Sequence, residues 1–312
     1  MPVRIGVNPI GWTNDDLETL GDDISLDTCL DEARAAGYAG IELGRKFPRR
    51  PAELRAVLQQ HQLDLVSGWY GAHLLRRSVA EEIAAMQDHA GLLTALGVTA
   101  MVFAEETGSV HGRLGVPLST RPRLAEEDWT KFGEGLTEVA EHLARRGMRL
   151  AYHHHMGTVV ETEAEIDRLM RVTGPAVGLL LDTGHLTYAG GDVLSVARRH
   201  AHRIVHVHCK DIRPAVLTEA RRRDQSFLDA VVEGVFTVPG DGCVDYKALL
   251  AVLRDASYSG WLVVEAEQDP VKAHPLTYAR LGHVNLKEAA ESCGFTVTPA
   301  PPTFSAVGRS IE

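Results

Sequence analysis

Residues 149–185, RLAYHHHMGTVVETEAEIDRLMRVTGPAVGLLLDTGH, decide how the chain folds. RLAYHHH and VGLLLDTGH are short, largely apolar runs, and VGLLL is apolar on both faces, as a parallel strand covered by helices must be. Between them, Glu163 to Val172 places its apolar residues at helical spacing. A strand, a helix and a second strand in one short segment make a β-α unit leading into the next.

The same alternation runs in both directions from this segment. Upstream lie the strand candidates RIGVNPI from 4, YAGIELG from 38, LDLVSGWY from 63 and TAMVFAE from 99; downstream lie RIVHVHCKD from 203 and GWLVVEAEQ from 260. Helical patterns separate them at Leu26 to Ala36, Ala52 to His61, Val79 to Leu96, Glu126 to Arg146, Val193 to His200, Tyr246 to Ala256 and Thr277 to Cys293. Gly37, Gly97, Gly147 and Gly294 each follow a helical run, where a left-handed cap favours a residue without Cβ. Eight β-α pairs predict an α/β fold, a single-domain (β/α)8 TIM barrel over 1–295, with 296–312 a loosely docked or flexible extension containing Pro299, Pro301 and Pro302. The first turn, NPIGWTND, lacks the G-x-G-x-x-G of a dinucleotide-binding sheet. Two insertions, 106–125 and 212–244, follow strands on the face where barrel enzymes keep their sites.

At 312 residues, 45% hydrophobic and 24% charged, the chain can bury a sizeable core. Its net charge of -10 argues against a phosphate-backbone partner, and Arg221, Arg222 and Arg223 read as a solvated helix face. The start shows no signal-peptide core and the longest apolar runs are too short to span a bilayer, so a cytoplasmic location and no membrane partner are expected. Cys29, Cys209, Cys243 and Cys293 form no C-x-x-C pair and are expected to be reduced thiols. No G-x-S-x-G nucleophile elbow occurs.

Eight of the fifteen histidines fall between 153 and 208. His200 and His202 lie near a helix end; the others sit at the ends of predicted strands. In a barrel, strand C-termini distant in sequence converge on one cavity. Strand five ends in His153-His154-His155, strand six in Asp182-Thr183-Gly184-His185, strand seven in His206-Val207-His208-Cys209-Lys210-Asp211 and strand eight in Glu265-Ala266-Glu267. Strand alternation puts His153 and His155 on one side and His154 on the other, and pairs His206 with His208. Glu265 is hard to explain as a packing residue, because a buried carboxylate needs a partner. Mixed imidazole and carboxylate ligation suits a divalent transition metal, Mn or Co in particular.

Taken in order, GYAGIELG at 37–44, LDTGH of strand six, HVHCKD of strand seven, PGDGCVDY at 239–246 and WLVVEAE of strand eight resemble the xylose-isomerase-like barrel superfamily. Closer still, GVNPIGWTNDD, SGWYGAHL and YHHHMGT are similar to the inosose dehydratases, the myo-inosose-2 dehydratase group of inositol catabolism. That resemblance implies loss of water from 2-keto-myo-inositol, a cyclic polyol ketone, to give a trihydroxycyclohexane dione through a metal-stabilised enolate. It implies Mn or Co as cofactor, and glutathione, for which no residue offers an explanation. Carried over, the metal positions fall on His153 or His155, Asp182, His208 and Glu265. Lys210, His185 and Glu267 are then candidates for acid and base, and Asn8, Glu42, Trp69, Glu105 and His206 for substrate contacts. Burial beside a metal would depress the Lys210 pKa toward neutrality. A sugar isomerase or ketose 3-epimerase would use the same chemistry, but sugar isomerases usually carry a glutamate where His153 stands. An apurinic endonuclease or a metal-free sugar-binding module are the readings from other classes, and a homo-oligomer is compatible with a barrel of this size.

Overall fold

Val177 to Asp182, buried at every position, form one of eight parallel strands whose side chains have no face left for water. The computed structural model describes residues 1–299. Its barrel strands are β1 (Pro2–Val7), β2 (Gly40–Leu43), β3 (Asp64–Ala72), β4 (Ala100–Glu105), β5 (Arg149–His153), β6 (Val177–Asp182), β7 (Ile204–Cys209) and β10 (Trp261–Val264). Each pairs with the next, and β10 closes on β1 with Arg4 opposite Trp261 and Val7 opposite Val264. Val102, Ala151 and Leu180 pack together as a small apolar layer, with Trp69 and Val205 against it.

The covering helices are α1 (Leu26–Ala36), α2 (Pro51–Gln60), α3 (Val79–Ala85), α4 (Gln87–Ala95), α5 (Asp128–Ala144), α6 (Glu163–Val172), α8 (Val193–His200), α11 (Tyr246–Asp255) and α12 (Pro275–Ser292). Their ends follow local chemistry. Ser25 caps α1 through the Thr28 N–H, and Gly37 ends it at φ 105°. A Cβ on Gly37 would also meet the His283 ring at 2.7 Å, so both conformation and packing require glycine there. Thr162 and Glu165 form a reciprocal capping box on α6. The single helix expected over 79–96 is instead interrupted at Met86, whose ψ of -5° departs from helical geometry.

Strand six is shorter than its sequence suggests. It stops at Asp182, whose Oδ1 accepts the His185 N–H at 2.8 Å and so starts α7 (Thr183–Tyr188). His185 therefore sits on a helix rather than on a strand end. The 212–244 insertion supplies α9 (Pro214–Arg222), α10 (Phe227–Glu233) and an antiparallel pair of β8 (Asp211–Ile212) with β9 (Phe236–Thr237). Ile212, Phe227, Val231 and Phe236 form a second apolar cluster with Val110 and Leu118 of the 106–125 insertion, so the two insertions fold as one cover over the barrel mouth.

β11 (Thr296–Val297) pairs in parallel with Pro2 and Val3 of β1, so the start of the expected extension lies along the barrel; residues 300–312 lie outside those described. All four cysteines are free thiols. Among the described residues, no helix is long and apolar enough to cross a membrane.

Candidate active site

The C-terminal ends of the strands bring the expected residues together. His153 ends β5, Asp182 ends β6, His208 lies in β7 and Glu265 follows β10; all are buried, and one donor atom from each lies within 4.8 Å of the others. His153 Nε2 and His208 Nδ1 are 3.2 Å apart, each 3.5 Å from Asp182 Oδ2, and Glu265 Oε2 is 2.9 Å from His208 Nδ1. Ligands held about 2.1 Å from one ion are at most about 4.2 Å apart, and these four separations all fall inside that limit.

Two further observations fit a cation there. Asp182 Oδ2 is a buried oxygen without a hydrogen-bond donor, an unusual condition for a carboxylate. The pocket is also short of positive charge: although burial works against it, Glu265, Glu42 and Asp182 pull the His208 imidazole well above its ordinary pKa. Burial likewise opposes ionisation of Asp182, but His185 and Lys210 outweigh it and hold the carboxyl well below the usual range.

His155 is not part of this set. It groups instead with His185 and Glu267, its ring 3.9 Å from that of His185. Its Nδ1 bonds the Met156 carbonyl at 2.8 Å, leaving Nε2 free. His154 faces the other way, as strand alternation requires, and accepts the Asp182 N–H at 3.2 Å.

Around the four residues, a second ring of contacts fixes their orientation. The Asn8 side-chain carbonyl accepts the Ile10 N–H at 2.9 Å, so its amide nitrogen must face inward, donating to Glu42 at 2.8 Å and Glu265 at 2.9 Å. Glu42 lies 2.9 Å from His206 Nε2 and 3.2 Å from His208 Nε2. Burial would raise its pKa, yet the two imidazoles prevail and keep it below the usual range.

Lys210 is fully buried, its Nζ 2.5 Å from Glu267 Oε1, 2.9 Å from Glu265 Oε2 and 2.9 Å from His185 Nε2. Burial favours the neutral amine, but Glu265, Glu267 and Asp182 outweigh it and raise the pKa. Asp211 turns away, accepting the Ile212 and Val244 N–H groups. Burial, opposed by Lys210 and reinforced by Glu265, pushes Glu267 up to about 7.

A cavity of about 70 Å³ opens onto these groups, lined by Asn8, Glu42, Trp69, His155, His208 and Glu267 among others. Trp69 forms one wall, edge-on to His153 and His155 at 5.3 and 5.5 Å. Glu105 does not reach the cavity: its carboxylate accepts the Leu74 and Thr107 N–H groups at 2.7 and 2.9 Å. Its neighbour Glu106 instead takes the Trp69 indole N–H at 2.6 Å. Sequence reasoning passed over Asp15 and Asp16 on the cavity wall, although both lie in the quoted GVNPIGWTNDD, and His111, which reaches Asp16 at 3.5 Å from the first insertion. For His111 no sequence signal was available, because loops from different strands meet only in the fold.

Residues 30–292 match the family model described as xylose isomerase-like TIM barrel. The chain is 53% identical over 300 residues to the rhizopine catabolism protein MocC of Rhizobium meliloti, covering 96% of this chain and 92% of that one. It is 42% identical over 294 residues to the inosose dehydratase of Geobacillus thermodenitrificans, covering 94% and 98%. Among solved structures, an IolI protein with a binding zinc atom matches with a TM-score of 0.63 at 18% identity, over 93% of this chain and 98% of that one, a likeness of fold.

Proposed function

The chain belongs to the xylose isomerase-like TIM barrel family, and from that premise we propose that it is a metal-dependent inosose dehydratase, a hydro-lyase taking 2-keto-myo-inositol to a trihydroxycyclohexane-1,2-dione. The observation that carries this reading is the buried set His153, Asp182, His208 and Glu265, of which His208 and Glu265 line the cavity. A divalent ion bound there, Mn or Co by the mixed nitrogen and oxygen donor set, supplies a Lewis acid for a ketone oxygen.

The remaining work belongs to side chains. Trp69 offers a flat apolar wall to the C–H face of a cyclitol ring, while Asp16 and Asn8 border its hydroxyl rim. Glu267 lines the cavity, and Lys210 engages its Oε1, leaving Oε2 without a donor. That oxygen takes the proton α to the ketone; the same carboxyl returns it to the departing β-hydroxyl, so that water leaves and the charge balances. Lys210 and His185 position Glu267 from behind rather than touching substrate. Glu42 and His206 act through His208, fixing its ring. The reading places the enzyme in the cytoplasm, with a small cyclic polyol ketone as its partner.

The test is a side-by-side incubation of the metal-loaded protein with 2-keto-myo-inositol and with a ketohexose. Ultraviolet absorption of an enolised dione from the first, with the second unchanged, supports the dehydratase. Epimer or isomer from the ketohexose, with the inosose untouched, assigns the site to sugar rearrangement instead.

A further inference from the structure

His155, His185 and Glu267 form a second group of potential metal ligands, all buried, immediately beside the first. The two groups have no residue in common, but Asp182 of the first approaches His185 of the second. Asp182 Oδ2 lies 3.5 Å from His153 and His208 on one side and 4.0 Å from His185 Nε2 on the other. Glu265 Oε2 is 2.9 Å from His208 Nδ1 and 2.9 Å from Lys210 Nζ. Metals in two-metal centres stand about 3.5–4 Å apart, so two ligand groups this close could hold a pair.

The second position is already filled by a side chain. His185 Nε2 and Glu267 Oε1 are 3.7 Å apart, and Lys210 Nζ is 2.9 Å from the first and 2.5 Å from the second. Any ion bound about 2.1 Å from both atoms falls within about 3 Å of Nζ, so ion and ammonium exclude each other. The lysine is held in place by its surroundings. Its stem lies against Gly184, where a Cβ would meet Lys210 Cγ at 2.5 Å, and its ammonium sits 4.8 Å from the centre of the Phe236 ring. Its backbone N–H donates to Thr183 Oγ1 at 3.1 Å, while its carbonyl accepts from that hydroxyl at 2.7 Å.

We propose that the Lys210 ammonium takes the place of a second metal ion, so that a site built for two cations binds one. This rests on His153, Asp182, His208 and Glu265 holding the first ion, as proposed above. Glu267, bonded to the ammonium rather than to a metal, keeps its second oxygen free for a proton. A centre with a second ion would engage that carboxylate as a ligand.

The test is metal stoichiometry, measured by dialysis to equilibrium against Co(II) or Mn(II) followed by elemental analysis, in wild type, Lys210→Met and Lys210→Gln. Wild type should saturate at about one ion per chain and both variants at about two; adding Glu267→Gln to Lys210→Met should return it to about one. Circular dichroism checks that each variant is folded. Wild type saturating at two ions overturns the proposal whether or not the variants fold, as do folded variants that remain at one ion, and wild type binding none. The readout is independent of turnover: the predicted stoichiometries without dehydration of 2-keto-myo-inositol would sustain this inference and remove the functional assignment.

Discussion

Asn8 and Glu265, 257 positions apart, are joined by a 2.9 Å hydrogen bond across the seam where β10 closes on β1. The bond links barrel closure to the site, because the same amide also holds Glu42, which in turn engages His208. Groups that orient a metal ligand typically contribute 10–100-fold in metal affinity. Asn8→Ala should therefore weaken divalent metal binding by about that factor while leaving the helical circular dichroism unchanged; competition with a chromophoric chelator measures it.

His153 and His155 are neighbours in sequence but belong to different groups. His153→Ala should abolish stoichiometric metal uptake, and His155→Ala should retain it with the dehydration rate reduced through loss of the cavity wall. Elemental analysis of the two dialysed variants separates them. Equal loss of metal from both would place His155 among the ligands.

Glu105 holds two backbone N–H groups at the junctions after β3 and β4. In Glu105→Gln one of those donors faces an amide NH2, a loss of about 1–3 kcal/mol for an unsatisfied buried group. Urea unfolding should register that loss, with KM for substrate unchanged within about twofold, since the side chain does not line the cavity. A large rise in KM instead would return Glu105 to the substrate contacts.

Glu165 closes the capping box of α6 and pairs with buried Arg121 at 2.7 Å. Burial pushes its pKa up, but the Thr162 N–H, Arg121 and the Glu161 N–H outweigh it and hold the carboxyl below its ordinary value. The stability this provides is complete above the unfolded-state pKa and is lost as pH falls through the lower folded-state value. Glu165→Gln should thus be less stable by about 2 kcal/mol at neutral pH, with the gap to wild type narrowing in acid. Urea midpoints between neutral and acidic pH measure the gap; a gap that widens in acid contradicts this sign.

The barrel was legible because β6 is apolar on both faces and short apolar runs alternate with amphipathic helices along the chain. Period-two alternation also separated His154 from His153 correctly. What the sequence hid depends on where elements stop. VGLLLDTGH reads as one run, yet Asp182 caps a helix, which swings His185 beside His155 and Lys210. Alternation could not divide His153 from His155, because it puts both on one side, whereas β5 ends at His153 and the chain turns at Met156. The charge state of Lys210 was equally hidden, since it is set by Glu265, Glu267 and Asp182, which only the closed barrel assembles.

The most direct test of the account is the ultraviolet absorption of enolised dione formed from 2-keto-myo-inositol by chelator-stripped protein, with Mn or Co added back, in wild type and Glu265→Gln. Product should form from wild type only when metal is restored, and not from a folded Glu265→Gln protein under either condition. Product from the stripped protein, or metal-restored activity that survives Glu265→Gln, would contradict it.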